Sequence, residues 1–185
     1  MNPHGRSVVL IGMMGAGKST VGCCLQRRTG LALLDTDEIV SSKFGMSIRE
    51  IFSTYGEQKF REAETEAVRG LPGRKPKIIV TGGGIVLRKV NVEILRRRGV
   101  IVWLDADEET LFARASRKEN RPLLQTKNAR RDFSQILRAR RPLYADIADI
   151  RVDTSVLTDQ EVAVAILSKL RRFNPKSGAS IPGKT

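Results

Sequence analysis

Apolar and polar positions sort this chain into two alternating kinds of segment. Short apolar runs fall at Ser7 to Ile11, Leu31 to Leu34, Lys77 to Val80, Val100 to Leu104 and Asp149 to Val152. Their length and their content of Val and Ile predict buried strands. Between them the apolar positions take helical spacing, as where Val21 and Leu25 share a face. Capping boxes at Ser47 ("SIRE") and Thr158 ("TDQE") predict helix starts, and Gly70 and Gly99 predict helix ends. Strands that alternate with helices predict a parallel sheet covered on both faces, a three-layer α/β domain.

Two regions depart from this alternation. Between Asp35 and Pro72 the pattern holds two or three helical stretches before the next strand, more than a crossover needs, which predicts a helical insert over about 36–71 able to hold a substrate. Residues 116–128 are polar, basic and interrupted by Pro122, as expected of a flap over a site. A single domain is expected over 1–171. The Gly-, Pro- and Ser-rich end that follows, 172–185, is expected to be a disordered tail.

Composition narrows the classes. At 185 residues with 41% hydrophobic content the chain is long enough for one core, and no apolar stretch approaches the ~20 residues of a membrane span. Without an apolar leader at the N-terminus the expected location is the cytoplasm. Cys23 and Cys24 are adjacent, where a disulfide would be strained, and with His4 they make no zinc site, so any metal must use oxygen ligands. Thirty-three Lys and Arg against twenty Asp and Glu give a net charge of +13. That charge suits anionic substrates, but without interleaved aromatic residues it does not predict a nucleic-acid partner.

The chemistry starts at "IGMMGAGKST", residues 11 to 20. Gly12, four residues, Gly17, Lys18 and Ser19, set after a strand and at the start of a helix, form the phosphate-binding loop pattern. Its amides turn toward anionic oxygens, Lys18 neutralises the outer phosphates and Ser19 offers a hydroxyl to Mg²⁺. Gly12, Met13, Met14, Gly15, Ala16, Gly17, Lys18, Ser19 and Thr20 are therefore the expected nucleotide residues, with the two methionine side chains as packing. After the second apolar run comes "LLDTDEIV". If the chain stays extended there, Asp35 and Asp37 point the same way, one toward Mg²⁺ and one toward a substrate hydroxyl; the other reading is a turn that caps the next helix. The third run ends in "TGGG", where Gly82, Gly83 and Gly84 either let a ligand approach the backbone or simply make a tight turn. All three motifs follow strands, so they should meet at one edge of the sheet. No acidic residue follows Val80, where a magnesium-holding aspartate is usual, which makes Asp35 the replacement.

Taken together, "GMMGAGKST", "LDTDEIV", "GEQKFREAE", "TGGG", "NRPLL" and "RRPLYADIA" resemble the shikimate kinase family in order and spacing, nearly to residue 171. The resemblance implies a P-loop fold like that of nucleoside monophosphate kinases, with a five-stranded parallel sheet, a substrate-binding helical segment and a lid. It implies transfer of phosphate from MgATP to the 3-hydroxyl of shikimate, on the route to aromatic amino acids, by a monomer with ATP and shikimate as its small-molecule partners. By position, Asp37, Arg61, Arg140 and the Gly82 to Gly84 backbone would contact shikimate. Arg121 of the lid would contact the transferred phosphate, Arg114 would stack on adenine, Pro122 is another lid residue of the site, and Asp35 would help hold Mg²⁺ through water. Planar guanidinium groups suit a carboxylate clamp of this kind. The stretch "DTSVLTDQE" departs from the family, since it lacks an arginine that some members use to flank adenine. A kinase for a different small acceptor and a nucleic-acid binder are the competing readings, separated from the first by shikimate-dependent turnover and by salt-sensitive RNA binding.

Overall fold

The computed structural model describes residues 5–73, 75–117 and 128–173. Strands β1 (Ser7–Ile11), β2 (Ala32–Asp35), β3 (Lys77–Val80), β4 (Gly99–Asp105) and β5 (Ile150–Asp153) form one parallel sheet in the order β2-β3-β1-β4-β5. Each lies within one residue of its expected bounds. In register, Val9 of β1 sits between Ile79 of β3 and Ile101 of β4. Every residue of β1 and β4 is buried, which requires helices on both faces of the sheet.

Those helices follow the sequence signals. Helix α1 (Lys18–Thr29) packs on α7 (Asp159–Arg172) and on the sheet, and α4 (Lys89–Arg98) and α6 (Ala129–Ile147) cover β4 from their own layer. Helix α1 lies so close to the sheet that a Cβ on Gly22 would stand 2.8 Å from a Val80 methyl. Ser47 and Thr158 both form complete capping boxes, and Gly70 and Gly99 close α3 and α4.

The insert over 36–71 consists of α2 (Thr36–Phe44) and α3 (Ile48–Arg69), with α3 broken at Gly56, whose φ of 78° and ψ of 170° leave helical space. It has a small apolar cluster of its own, built on Val40, Ile51, Phe60, Ala63 and Ala67. Helix α5 (Glu108–Ser116) leads toward the expected lid, of which residues 118–127, with Arg121 and Pro122, lie outside the described residues. Of the residues expected in the tail, two are described. Arg172 still belongs to α7, and Phe173 packs against the core because its ring finds apolar cover there; 174–185 lie outside the described residues. Cys23 is exposed and Cys24 buried, and both are free thiols.

Chain order positions the site. From β1 the chain leaves toward β2 on one side, and from β4 it leaves toward β5 on the other, so a crevice opens at the carboxyl ends of these two neighbouring strands.

Candidate active site

The loop between β1 and α1 fills that crevice. Gly12, Gly15 and Gly17 have φ of 141°, 86° and 82°, a region that side chains resist. A Cβ on Gly12 would lie 2.3 Å from the Leu104 carbonyl oxygen, and one on Gly15 would lie 2.2 Å from that of Leu111, so β4 and α5 hold the loop at van der Waals contact. Gly17 caps α1 without any side-chain hydrogen bond, and the first turn of α1 carries no acid. The amino end of α1, with the positive end of its dipole, therefore faces the crevice, the arrangement that binds phosphate. Lys18 folds back over the loop, and its Nζ donates to the carbonyl oxygens of Gly12 (2.8 Å) and Met13 (3.0 Å). Met13, Met14 and Ala16 bury their side chains in the core, so only their backbone remains for a ligand.

Asp35 ends β2 and caps α2. The chain does not stay extended as one reading required: it turns into α2 at Thr36, because Asp35 Oδ1 accepts the Asp37 amide at 2.9 Å and starts the helix. Asp37 thus stands in the first helical turn. Asp35 thus caps the helix, as the second reading expected, and its Oδ2 accepts from the Ser19 hydroxyl at 3.3 Å. Both aspartates line a cavity of about 580 Å³, which also touches Lys18, Thr81, Gly82 and Gly83.

Gly82 and Gly83 of the glycine triplet line one wall of this cavity, and the triplet's own bonds decide what it offers. The Gly82 amide donates to Thr36 Oγ1 (3.3 Å), and the Gly82 and Gly84 carbonyls accept from the amides of Ile85 (3.3 Å) and Leu87 (3.0 Å). The Gly83 carbonyl accepts from the Tyr144 hydroxyl. Among the described residues the amides of Gly83 and Gly84 have no acceptor. The missing side chains make room for charged neighbours: a Cβ on Gly82 would stand 2.6 Å from Asp37 Oδ1 and 2.9 Å from Glu64 Oε1, and one on Gly84 would stand 2.2 Å from Arg61 Nη1.

Arg61 and Arg140 do not line the cavity directly. Both are buried around Glu64, itself fully buried on α3. Arg61 donates to Glu64 Oε2 and Glu57 Oε1, each at 3.0 Å, and its guanidinium lies 5.1 Å from the Phe60 ring centre. Burial works against the Arg61 charge, but Glu64 and Glu57 outweigh it and hold its pKa above the ordinary value. Glu64 is shifted upward, because burial outweighs the pull of Arg61, Arg140 and Arg88, and its Oε1 has no hydrogen-bond partner among the described residues. A buried carboxylate ringed by three guanidinium groups gathers positive charge just behind the glycine wall.

At its other end the cavity is lined by Arg114, Arg117, Leu157, Thr158 and Asp159. The edge of the Arg114 guanidinium is taken up by Thr154 Oγ1 (3.2 Å) and the Thr154 carbonyl (2.9 Å), which leaves its flat face for stacking. Arg117, Leu157 and Asp159 stand beside it at this end. Sequence reasoning passed over Arg117, Glu64 and Tyr144. The signal for two of them was present, since Glu64 follows Arg61 by three residues and Tyr144 follows Arg140 by four, both helical neighbours.

Residues 14–171 match the family model described as shikimate kinase. A shikimate kinase from Thermodesulfovibrio yellowstonii is 41% identical over 169 residues, 91% of this chain and 97% of its own. One from Moorella thermoacetica is 44% identical over 165 residues, 89% of this chain and 92% of its own. Among solved structures, a shikimate kinase from Acinetobacter baumannii in complex with shikimate superposes with a TM-score of 0.87 at 36% identity, over 92% of this chain and 96% of that one. A gluconokinase from Sinorhizobium meliloti, 20% identical with a TM-score of 0.59, shares the fold. A phosphate loop, two aspartates and a glycine wall backed by arginines thus meet in a chain that belongs to the shikimate kinase family, the ATP-dependent kinases of shikimate.

Proposed function

We propose that this chain transfers the γ-phosphate of ATP to the 3-hydroxyl of shikimate, with Asp37 as the residue that orients that hydroxyl and accepts its proton. One observation carries this reading: the same cavity is lined by Lys18 on the phosphate side and by Asp37 beside the Gly82–Gly83 wall on the other. Two ligands admitted from the two sides would meet between these groups. Phosphoryl transfer asks the protein mainly for position and charge, since its transition state is loose and anionic.

The roles follow from the donors present. The loop amides and Lys18 hold the phosphates, and Arg114 stacks on the base, with Leu157 beside it. The three bonds that Arg61 makes to Glu57 and Glu64 leave it further N–H donors, and together with Arg140 and the free Gly83 and Gly84 amides these suit a carboxylate. Ser19 and Asp35 form an oxygen-only pair that fits Mg²⁺, an ion that keeps water and phosphate as its other ligands. Mg²⁺ would neutralise the phosphate oxygens as charge shifts to the leaving ADP. Arg121, at the family's lid position, completes the proposed charge stabilisation. No helix among the described residues is long and apolar enough to cross a membrane, and we place the enzyme in the cytoplasm as a monomer.

The test is ADP release with ATP and Mg²⁺ present. Shikimate should stimulate it, and Asp37→Asn should lower kcat by about a thousandfold while nucleotide affinity holds. Stimulation by gluconate or a nucleoside monophosphate in place of shikimate would assign a different acceptor.

A further inference from the structure

We infer that Tyr144 is a positioning residue for the acceptor: one buried phenol holds the peptide between Gly83 and Gly84 against Arg140 and so builds the shikimate subsite. The inference rests on the reading of this cavity as the shikimate site.

Tyr144 is fully buried on α6, one helical turn after Arg140. Its hydroxyl donates to the Gly83 carbonyl, and the Arg140 guanidinium acts on the Tyr144 hydroxyl oxygen itself. A phenol has a single proton to donate, so once that proton is committed to Gly83 the oxygen can only accept from Arg140. Burial pushes the Tyr144 pKa up to about 12 against the opposing pull of Arg140, so the proton stays in place at working pH. The bond to Gly83 reaches further than one carbonyl. In a trans peptide the carbonyl and the following amide point in opposite directions. Pinning the Gly83 oxygen toward α6 therefore turns the Gly84 amide the other way. That amide and the Gly83 amide are the two the triplet leaves without an acceptor among the described residues. Glycines have the widest backbone freedom, so without this anchor the peptide between Gly83 and Gly84 could turn.

The ring is fixed as firmly as the hydroxyl. Trp103 of β4 stacks on Tyr144 with centroids 6.0 Å apart, and Arg151 lies 4.8 Å from the Trp103 ring centre on β5's side. Arg151 and Arg141 both donate to the buried Asp105, at 2.7 Å and 3.1 Å. Arg141 is the residue next to Arg140, so the same carboxylate ties α6 to the end of β4. None of these groups needs to touch the nucleotide.

Tyr144→Phe keeps the ring and removes only the hydroxyl. It should raise the shikimate KM about tenfold, the effect of leaving a buried carbonyl and a guanidinium without their shared partner, while the ATP KM stays within about twofold. The effect should shrink in an Arg140→Lys background, where the coupled group has already changed. Trp103 is the only tryptophan and touches Tyr144, so its fluorescence gives shikimate affinity by direct titration. If the variant folds poorly, that titration, normalised to folded protein, replaces the KM comparison. Equal shikimate affinities for wild type and variant, or equal losses for both substrates, would overturn the inference. A wild type that shows no shikimate-dependent turnover would instead overturn the functional reading on which it rests.

Discussion

The two halves of the cavity are built by different means. On the nucleotide side the ligand surface is backbone: three glycines with positive φ, the amino end of α1, and a lysine held by carbonyls of its own loop. On the proposed acceptor side the backbone is only a thin wall, and the charge comes from Arg61 on α3, already paired with Glu57 and Glu64, and from the buried Arg140 on α6. Phosphate binding of the first kind tolerates many chemistries beyond it, which is why the same loop serves unrelated enzymes. The second kind is selective, because a group that enters must satisfy guanidinium ions whose partners are fixed in advance.

Changes on each side should therefore be felt on that side alone. Among changes read by affinity, the largest effect is expected for Gly84→Ala, whose new methyl would meet the Arg61 guanidinium at 2.2 Å and force it off Glu64. Disturbing a buried ion pair costs about 3 kcal/mol or more, so the shikimate KM should rise about a hundredfold while ATP binding, read by calorimetry, holds. Loss of both affinities together would show that the two sides are not separate. Arg114→Ala sharpens the comparison from the other end. Removal of a stacking cation is worth about 1 kcal/mol, so the ATP KM should rise several-fold in steady-state assays and the shikimate KM should not move.

The smallest effect concerns Glu64. Burial raises its folded pKa above the ordinary 4.5, so the fold favours the protonated form. Stability that is fully present below that ordinary value is then lost as pH rises through the raised one. Glu64→Gln carries no such dependence at this position. The Tm of the variant relative to wild type should therefore move in the variant's favour as pH rises from below 4.5 toward neutrality. A difference that does not change with pH would mean that Arg61 and its neighbours neutralise the burial cost.

The same contrast governs what the sequence made legible. The phosphate loop is contiguous, so its spacing, the preceding strand and the following helix are all visible in ten residues. The five strands were legible for a related reason, since a strand buried on both faces is a plain apolar run. Asp35 and Asp37 were legible as a pair but not in geometry, because a local hydrogen bond from the Asp37 amide decided between an extended chain and a helix start. The acceptor side is assembled from α2, α3, α6 and the loop after β3. Arg61 and Arg140 came from family resemblance, and Glu64 and Tyr144 became evident only once two helices brought them to the glycine wall. Helical spacing set Glu64 beside Arg61 and Tyr144 beside Arg140, but it carried no mark of the glycine wall that both would meet.

The position of β1 also bears on how the molecule is made. It is synthesised before both of its neighbours and is the middle strand of the sheet, with its edges reserved for Ile78 to Val80 on one side and Gly99 to Trp103 on the other. Until those residues have been synthesised, an apolar segment and the phosphate loop behind it wait without partners, a window in which aggregation competes with folding.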